Sequence, residues 1–461
     1  MDIKSLIFSH LGKSVPLYER VNPQFTKVLS TIGFDKVFSK AKGISLFDDK
    51  GDEYFDFLSG YGVYAFGRNH PEIKRVLKEY LDLDFPNLIQ MEAPLLCGLL
   101  AKRLTECLGG GVRDKVFFAN SGTEVIEAAI KFSRCATGRE KFLHWKSSFH
   151  GLTTGSLALN GSPEFRQGFG ELLSSDAVEM NDLQVLEEKL KTENYAAFVF
   201  EPVQGKTLLA PEKIYLQEAF KLCQKYGTLT VADEIQTGLG RTGKWLAHEH
   251  YEVKPDLVTL SKALSGGMVQ IGALLYPTWV YDKVFSRMDR CVVHSSTFGK
   301  NNLGMVCGLA SLEILEKENL IPHAQRMGEI FLEKLNTLQG QYDWIAGIRG
   351  KGLMIGIEFG CPKGIKKELI WKTLHKIDAG LFAEIVVIPL FEKHRILTQV
   401  SGHHQDILKL LPPLILQEEH IDYFINALED ILKNSLTLTG PLFSMGKNLA
   451  KHVVKQKLSS A

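Results

Sequence analysis

The chain has 461 residues, of which 45% are hydrophobic, and its 54 lysines and arginines balance 53 aspartates and glutamates. These values are typical of a globular protein with room for two or three domains, and they exclude the charge imbalance of a nucleic-acid-binding protein or an acidic tail. The seven cysteines are scattered without a CxxC pair, which argues against a disulfide framework or a zinc site and favours a reducing, cytoplasmic location.

The first 60 residues begin with a helix-like stretch and then contain a hairpin signal. Alternating apolar residues over 44–57 flank a Lys50-Gly51 turn, which is the pattern of two antiparallel strands joined by a tight turn. The sequence predicts no signal peptide and no membrane-spanning helix, because its N-terminal and internal apolar runs are too short.

The middle of the chain alternates short apolar strands with amphipathic helices. The predicted strands cover 115–119, 141–145, 196–200, 229–232, 257–260 and 271–276, and the predicted helices cover 123–137, 215–226 and 302–317. This alternation is typical of a mostly parallel sheet that is covered on both faces, so the predicted fold class is α/β.

After residue 318, short strands at 352–359 and 395–400 and a helix at 420–433 predict a smaller α+β domain. We therefore expect an N-terminal segment, 1–60, that joins this small domain, a large domain, 61–317, and a C-terminal small domain, 318–461. Basic and apolar residues alternate over 443–458. This stretch is either a terminal helix docked on the protein, which we favour, or a basic amphipathic helix on a membrane surface.

Two polar side chains follow strands in the middle of the chain. Asp233 comes directly after the strand 229–232, and Lys262 follows the strand 257–260. Ligands of parallel sheets bind at the carboxyl ends of the strands. A lysine withdrawn from water has a lowered pKa and can form a Schiff base with an aldehyde, and an aspartate can pair with a ring nitrogen. Although a single lysine is most often a solvated surface residue, the two together suggest a pyridoxal 5'-phosphate (PLP) site.

A possible phosphate site follows the strand 115–119. Ser121 and Glu124 have the spacing of a capping box at the start of a helix. The N–H groups of Gly122 and Thr123, together with the helix dipole, would then bind an anion. The alternative is an ordinary capped helix without a ligand.

Two other segments carry residues that suit the same site. Phe149 could lie flat on a planar ring, with His150 beside it; the alternative is a core aromatic residue and a histidine with satisfied hydrogen bonds. The hydroxyl-rich segment 294–299 could donate hydrogen bonds to a phosphate, or it could be a plain turn.

The glycine-rich segment 238–244 matches the nucleotide-binding patterns GxGxxG and GxxxxGK in its residue types but not in its structural context. Acidic residues separate it from the preceding strand, and Trp245 occupies the position where a magnesium-binding hydroxyl is needed. We therefore exclude nucleotide binding there. The sequence also has no HExxH, no GxSxG and no clustered metal-ligand set, so a metallohydrolase or a serine hydrolase is not supported.

Taken together, these segments resemble the class III (ω-type) PLP-dependent aminotransferases, in the ornithine and putrescine aminotransferase group. The resemblance extends over residues 40 to 415, and the order and spacing of its short blocks make it specific. The blocks are 58–62, 67–71, 120–124, 149–151, 201–205, 233–243, 261–267, 296–299 and 411–414.

The resemblance implies fold type I, with a large α/β domain around a seven-stranded sheet and a smaller domain from both chain ends. It implies that Lys262 forms the Schiff base with PLP and then moves a proton as general base and acid. It implies that Asp233 keeps the pyridinium nitrogen protonated, so that the ring can accept electrons.

The resemblance also implies how the cofactor is bound. Phe149 and Ile235 would pack on opposite faces of the ring, and Gln236 would contact its hydroxyl. Thr297 would reach the phosphate of a neighbouring subunit, so we expect a homodimer with active sites at the subunit interface. The cofactor-binding set implied by the family is Ser121, Gly122, Thr123, Phe149, His150, Glu201, Asp233, Ile235, Gln236, Lys262 and Thr297.

The sequence departs from the family pattern at two positions that bear on the substrate. Ornithine and γ-aminobutyrate enzymes have a glutamate and an arginine there, which form a switchable pair that controls binding of the α-carboxylate. This chain has Lys206 and Lys409 instead, and two lysines cannot form that pair. Tyr61 occupies a position that lines the substrate pocket in relatives. We therefore expect an amine or aldehyde substrate with a less polar chain.

The sequence predicts a PLP-dependent transaminase that moves an amino group from an amine or amino acid to a 2-oxo acid or aldehyde by ping-pong chemistry. Two alternatives remain at this stage. One is an aminomutase, epimerase or decarboxylase on the same scaffold, and the other is a non-catalytic relative that kept the fold.

Overall fold

The computed structural model describes residues 1–376, 378–402 and 405–434. The helix predicted within 443–458 lies outside the described residues. The chain divides into two compact units. The larger unit contains residues 60–326 and 350–354, and the other contains 1–59, 327–349 and the described residues from 355 to 434. The domain limits expected from the sequence stay a prediction.

Strands and helices are numbered in chain order over the described residues. The strands are β1 (Phe38–Lys42), β2 (Ser45–Asp48), β3 (Glu53–Asp56), β4 (Lys115–Ala119), β5 (Lys141–Trp145), β6 (Ser175–Val178), β7 (Tyr195–Phe200), β8 (Leu229–Asp233), β9 (Leu257–Leu260), β10 (Gly272–Tyr276), β11 (Ile345–Lys351), β12 (Met354–Phe359), β13 (Ile396–Leu397), β14 (Gln399–Val400) and β15 (Ile407–Leu410). The helices are α1 (Ile3–His10), α2 (Ser14–Tyr18), α3 (Pro23–Thr31), α4 (Ser59–Gly62), α5 (Pro71–Asp82), α6 (Leu95–Leu108), α7 (Gly122–Thr137), α8 (Thr154–Ala158), α9 (Pro163–Arg166), α10 (Leu183–Leu190), α11 (Lys213–Lys225), α12 (Thr278–Val284), α13 (Asn302–Lys317), α14 (Leu320–Gln341), α15 (Ile365–His375), α16 (Leu381–Glu392) and α17 (Glu418–Asn434).

The larger unit is built on a seven-stranded sheet with the strand order β4-β10-β9-β8-β7-β5-β6. Strands β9, β8, β7, β5 and β6 are parallel to one another. Strand β10 runs antiparallel to both of its neighbours, β4 and β9. The predicted α/β class and the mostly parallel seven-stranded sheet are therefore confirmed.

The central strands of this sheet, β7, β8, β9 and β10, are buried, because their side chains are mostly apolar on both faces, whereas β6 at one edge is only partly buried. Every residue of β7, in the sequence Tyr-Ala-Ala-Phe-Val-Phe, is buried. The indole ring of Trp145 on β5 lies 5.7 Å from the rings of both Phe198 and Phe200. Such continuous apolar runs are typical of parallel strands covered by helices on both sides. The buried sheet gives the strand ends fixed positions, and the polar residues of the site begin there.

The other unit contains two four-stranded sheets, β1-β2-β3-β13 and β11-β12-β15-β14. Strands β2 and β3 pair antiparallel, which confirms the hairpin predicted around the Lys50-Gly51 turn. Rings of Phe34 and Tyr54 pack on Phe391 with centroid distances of 4.1 and 5.1 Å. In the described part of the chain, no helix is long and apolar enough to span a membrane.

Candidate active site

The ends of β8 and β9 bring Asp233 and Lys262 to the same edge of the sheet. Asp233 is the last residue of β8 and pairs in register with Thr259 on β9, shortly before Lys262. Lys262 begins a short 3-10 turn, Lys262–Ser265, and has a left-handed φ of 41°. A non-glycine residue in that conformation is strained, and such strain is concentrated at functional sites. The structure thus places together the two residues that the sequence singled out first.

The amine of Lys262 is held in an environment that favours its neutral form. Burial lowers the pKa of Lys262 below the ordinary value of 10.5, and the negative charges of Asp233 and Glu201 partly oppose this shift. A neutral amine has a free lone pair, which is the form that attacks an aldehyde. The environment therefore suits a nucleophilic lysine.

Asp233 is fixed by three hydrogen bonds at the carboxyl edge of the sheet. Its Oδ2 lies 2.7 Å from Nδ1 of His150, and its Oδ1 accepts from the N–H of Ile235 at 3.1 Å and the hydroxyl of Thr259 at 3.3 Å. Burial acts to lower the pKa of His150, but the hydrogen bond and charge of Asp233 outweigh burial and raise it. Within the described residues, the buried Nε2 of His150 has no hydrogen-bond partner.

Glu201 joins two backbone segments at the bottom of the site. Its Oε2 accepts the N–H of Phe149 at 3.0 Å, and its Oε1 accepts the N–H of Gly205 at 2.8 Å. Burial raises the pKa of Glu201, partly offset by the positive charge on His150. The bond between Glu201 and Phe149 was not predictable from the sequence, because 52 residues separate them.

The N-terminus of α7 opens at the same edge, after β4. The hydroxyl of Ser121 accepts the N–H of Glu124 at 3.3 Å, as predicted. The carboxylate of Glu124 binds the N–H of Asn120 at 2.6 Å, one residue earlier than in a standard capping box. A Cβ on Gly122 would lie 3.0 Å from the side chain of Ile235, so a larger residue at this position requires Ile235 to shift. The first N–H groups of a helix lack partners within the helix and attract anions.

A network of hydroxyl groups surrounds Thr123 and was not predicted from the sequence. Oγ1 of Thr123 lies 2.7 Å from the hydroxyls of both Thr153 and Ser156. The carboxylate of Glu127 accepts the hydroxyl of Thr153 at 2.5 Å and the N–H of Ser156 at 3.0 Å. The hydroxyl-rich segment 153–156 was the available signal, but only the fold brings it to the start of α7.

Gln236 and Tyr61 contact each other on another wall of the site. Nε2 of Gln236 donates to the carbonyl oxygen of Tyr61 at 3.1 Å. Within the described residues, the buried Oε1 of Gln236 has no hydrogen-bond partner. Tyr61 lies in a left-handed turn with a φ of 59°, which is costly for a residue with a large side chain. The structure therefore holds Tyr61 in a strained position beside Gln236.

The two lysines of the expected substrate pocket belong to different units. Lys206 lies in the larger unit and is 8% exposed; its Nζ is 3.7 Å from the carboxylate of Glu164. Burial lowers the pKa of Lys206, and the charge of Glu164 opposes the shift. Lys409 is buried on β15 of the other unit, where it pairs in register with Gly356.

Thr297, which the sequence predicts to bind the phosphate of a neighbouring subunit, follows Ser296, whose hydroxyl accepts a hydrogen bond from the side-chain amide of Asn120 at 2.8 Å. Thr297 is exposed, and its carbonyl oxygen accepts a hydrogen bond from Gln90 at 3.2 Å.

The glycine-rich segment 238–244, for which nucleotide binding was excluded, is tightly packed, because a Cβ on Gly243 would lie 2.8 Å from Gln325. Among the described residues, no group of three or more His, Cys, Asp or Glu could hold a metal ion.

A mostly parallel sheet with a half-buried lysine and a buried aspartate at adjacent strand ends is the arrangement of PLP-dependent transferases of fold type I. The model of the family "Aminotransferase class-III" matches residues 32–432. The chain therefore belongs to the class III aminotransferase family.

Individual relatives agree with this assignment. Aminotransferase PigE of a Serratia species is 34% identical over 443 residues, or 89% of this chain, but the chain spans only 52% of the length of that relative. Acetylornithine aminotransferase of Aquifex aeolicus is 35% identical, with 86% of this chain and 96% of the relative covered. The crystal structure of ornithine aminotransferase from Toxoplasma gondii has a TM-score of 0.75 and 30% identity, covering 86% of this chain and 91% of that one.

These comparisons confirm the predicted class III family, fold type I and dependence on PLP. The protein is a transaminase that moves an amino group from an amine or amino acid donor to a carbonyl acceptor. The relatives named above are aminotransferases, so the comparisons support transamination and not the mutase, epimerase, decarboxylase or non-catalytic alternatives.

The residues at the edge of the sheet fit PLP on three counts. Lys262 offers an amine with a lowered pKa for the aldehyde. The buried Oε1 of Gln236 and Nε2 of His150 have no partners among the described residues, which leaves polar atoms for a polar ligand. The start of α7 at Gly122 offers N–H groups and a positive dipole end to a phosphate.

Proposed function

We propose that Lys262 is the lysine of this transaminase that binds PLP, and that Asp233 pairs with the ring nitrogen. The position of Lys262 just after β9, next to Asp233 at the end of the paired strand β8, is the observation that carries this assignment, and the lowered pKa of Lys262 agrees with it. When bound, PLP supplies an electron sink for the carbon that loses or gains the amino group. The neutral amine of Lys262 takes the proton from that carbon and returns it on the other side of the reaction.

Asp233 performs its role through charge and fixed geometry. The contacts from His150, Ile235 and Thr259 hold its carboxylate in place. A carboxylate in a site with little water stabilises a positive charge on the ring nitrogen. Nδ1 of His150 binds Oδ2 of Asp233, and this contact keeps the negative charge of Asp233 directed toward the ring.

We propose that the remaining cofactor residues bind the ring and the phosphate. Gly122 and Thr123 donate N–H groups to the phosphate, and Ser121 caps the same helix. Phe149 and Ile235 pack on the two faces of the ring. Glu201 fixes the backbone of Phe149, and Gln236 contacts the ring hydroxyl. In each case the family pattern and the position at the edge of the sheet support the proposal.

We propose that the enzyme is a homodimer in which Thr297 binds the phosphate of the partner subunit. An exposed apolar surface surrounds Thr297: Ile89, Met91, Val292 and Phe298 are 53%, 94%, 71% and 60% exposed. Exposed apolar surfaces of this kind mark protein interfaces. Seven cysteines, each with a free thiol in the described chain, support the proposal that the dimer functions in the cytoplasm.

The substrate proposal follows from the residues that differ from the family pattern. Lys206 and Lys409 replace a glutamate and an arginine that switch between substrates in ornithine-type enzymes. Lys206 is already paired with Glu164, so it does not offer an unpaired charge to a second carboxylate. With Tyr61 on the pocket wall, we propose an amine donor with a less polar chain, of the putrescine type, and a carbonyl acceptor.

The test is a half-reaction screen with purified enzyme and PLP. Amines, diamines and amino acids are added singly, without an acceptor, and conversion of the cofactor to its pyridoxamine form is followed by absorbance. We expect conversion with simple amines or diamines and slower conversion with ornithine. A preference for ornithine by several orders of magnitude would contradict the substrate proposal, and no conversion with any amine would contradict transamination.

A further inference from the structure

Phe149 and Lys206 are connected through the same carboxylate. The two oxygens of Glu201 accept the N–H of Phe149 at 3.0 Å and the N–H of Gly205, the residue before Lys206, at 2.8 Å. Gly205 approaches Glu201 so closely that an added Cβ would lie 3.1 Å from Oε1. The backbone positions of Phe149 and Lys206 are therefore set relative to one common group.

The side chain of Lys206 places its ammonium near the ring of Phe149. Its Nζ lies 5.9 Å from the ring centroid of Phe149 and 4.2 Å from that of Phe165. The two rings meet edge to face with a centroid distance of 5.9 Å. A cation near aromatic faces is attracted to their negative charge density, and this attraction grows when water is excluded. Lys206 thus links the two rings.

Short helix α9 holds the ammonium of Lys206 from the opposite side. Glu164 on α9 lies 3.7 Å from Nζ, and Ser162 accepts a hydrogen bond from it. Glu164 is adjacent to Phe165, so the carboxylate and the second ring are on the same turn. A nearly buried ammonium requires such a counter-charge. Glu164 therefore contacts Lys206, Lys206 contacts the rings of Phe149 and Phe165, and the two rings contact each other.

We propose that Lys206 is a positioning residue that fixes the ring of Phe149 in the orientation in which it packs on the cofactor. This inference rests on the proposed role of Phe149 in binding PLP. Lys206 acts through Phe149, and Glu164 keeps its ammonium in place. Loss of the ammonium would leave the ring of Phe149 free to tilt on Phe165, and the stacking surface for the cofactor would be poorly defined.

The test compares Lys206→Met with Lys206→Arg in the full-length protein. Methionine keeps an apolar side chain of similar reach without the charge, and arginine restores a cation that can bind Glu164 and stack on both rings. We expect the Kd for PLP to rise about ten-fold in Lys206→Met and to return close to the wild-type value in Lys206→Arg. The absorbance maximum of bound PLP should shift in the methionine variant alone.

A double-mutant cycle separates action through Phe149 from other effects. On a Phe149→Leu background, Lys206→Met should cause no further loss of PLP affinity, because the ring that Lys206 positions is gone. Lys221→Met, which removes an exposed lysine paired with Glu218 at 2.7 Å, is the matched control and should leave the Kd unchanged. The thermal midpoint of the cofactor-free protein is measured for every variant. Lys206 is nearly buried, but its partner Glu164 is 43% exposed and stays hydrated when the ammonium is removed, so we expect Lys206→Met to remain folded with a modest drop in the midpoint.

Several outcomes would overturn the proposal. It fails if Lys206→Met binds PLP with wild-type affinity and absorbance, or if the loss persists on the Phe149→Leu background. It also fails if the only change is a higher KM for carboxylate-bearing substrates, because Lys206 would then bind substrate directly. A wild-type protein that cannot bind PLP would instead refute the proposed function.

Discussion

Lys262, Asp233, Glu201 and His150 form one group of charges at the edge of the sheet, and each side chain affects the properties of the others. The negative charges of Asp233 and Glu201 oppose the effect of burial on the pKa of Lys262. His150 is bound to Asp233 at 2.7 Å. A change at any of these residues should therefore alter the chemistry of the others before it alters the fold.

Replacing Asp233 by alanine should reduce the rate far more than the binding of PLP. The positive charge on the ring nitrogen loses its counter-charge, and we expect kcat to fall at least about 100-fold. The cofactor should still bind through the other contacts. Steady-state kinetics and the PLP content of the purified protein measure the two effects, with the exposed Asp282→Ala as control. An unchanged kcat would contradict the proposed role of Asp233.

The variant Glu201→Gln should shift the pH dependence of PLP capture to lower pH. The pKa of Lys262 in the folded protein lies below 10.5 because of burial, and the charge on Glu201 raises it. Capture of PLP by the cofactor-free protein should increase as pH rises through that pKa, since only the neutral amine reacts. Without Glu201 the ammonium is less favoured, so the midpoint moves down.

Stopped-flow absorbance at a series of pH values measures the midpoint of PLP capture. A midpoint that moves upward in Glu201→Gln would contradict this account.

The lowered pKa of Lys262 also affects the stability of the cofactor-free protein. Between the folded pKa of Lys262 and 10.5, the unfolded chain binds the proton that the folded protein lacks. The contribution of Lys262 to the free energy of unfolding therefore rises with pH in that range.

The placement of a residue in the site was predictable from the sequence only where the residue directly follows a recognisable element. Asp233 and Lys262 each follow an apolar strand, and the sequence placed both at the edge of the sheet. The bond between His150 and Asp233 was not predictable, because 83 residues separate them. The same holds for Lys206 and Glu164, whose contact depends on how α9 folds back.

At the scale of secondary-structure elements, the connection between β4 and α7 is where the addition of one methyl group should most weaken PLP binding. Gly122→Ala would place a Cβ 3.0 Å from Ile235 and displace the start of α7 or the side chain of Ile235. We expect the Kd for PLP to rise at least about ten-fold, since the phosphate loses aligned N–H donors. Fluorescence titration with PLP measures the effect.

Gly340→Ala is the matched control, because a Cβ there meets no atom within 4 Å. Gly340 is exposed within α14, where alanine is favoured over glycine by up to about 1 kcal/mol. This variant should bind PLP normally and be equally or more stable. Equal PLP affinity in Gly122→Ala and Gly340→Ala would show that the start of α7 does not bind the phosphate.

The elements that the sequence predicted are those with continuous apolar runs. Strands β4, β5 and β9 were predicted with the limits that the structure has. Strand β6 was missed because its sequence, Ser-Asp-Ala-Val, has one buried residue, Val178. Strand β11 was missed because only Ile345 among its residues is buried. Both β6 and β11 form because they pair with neighbouring strands, and the sequence of one segment does not show which strands lie beside it in the fold.

At the scale of the whole molecule, the exposed apolar surface around Thr297 should be covered by a second copy. We expect wild-type protein to sediment at twice the chain mass of 51.6 kDa. Phe298→Asp should shift it toward the monomer, because burying a carboxylate in an apolar interface is costly. Phe298 is 60% exposed, so the substitution should leave each chain folded.

Phe169→Asp is the control for this change. Phe169 is 66% exposed but lies on a loop far along the chain from Thr297, and its substitution should leave the dimer intact. PLP affinity should fall in Phe298→Asp and not in Phe169→Asp, because the phosphate would lose the partner's hydroxyl. A monomeric wild-type protein with full PLP affinity would contradict the shared active site.

The central claim is that Lys262 carries the cofactor, and reductive trapping tests it most directly. Wild-type protein and Lys262→Ala are incubated with PLP, reduced with borohydride, digested and mapped by mass spectrometry, with the exposed Lys254→Ala as control. We predict that the cofactor is attached at Lys262 in wild type and in Lys254→Ala. We predict no stoichiometric attachment in Lys262→Ala, whose kcat should fall at least about a thousand-fold. Stoichiometric attachment at another lysine, or normal turnover by Lys262→Ala, would contradict the account.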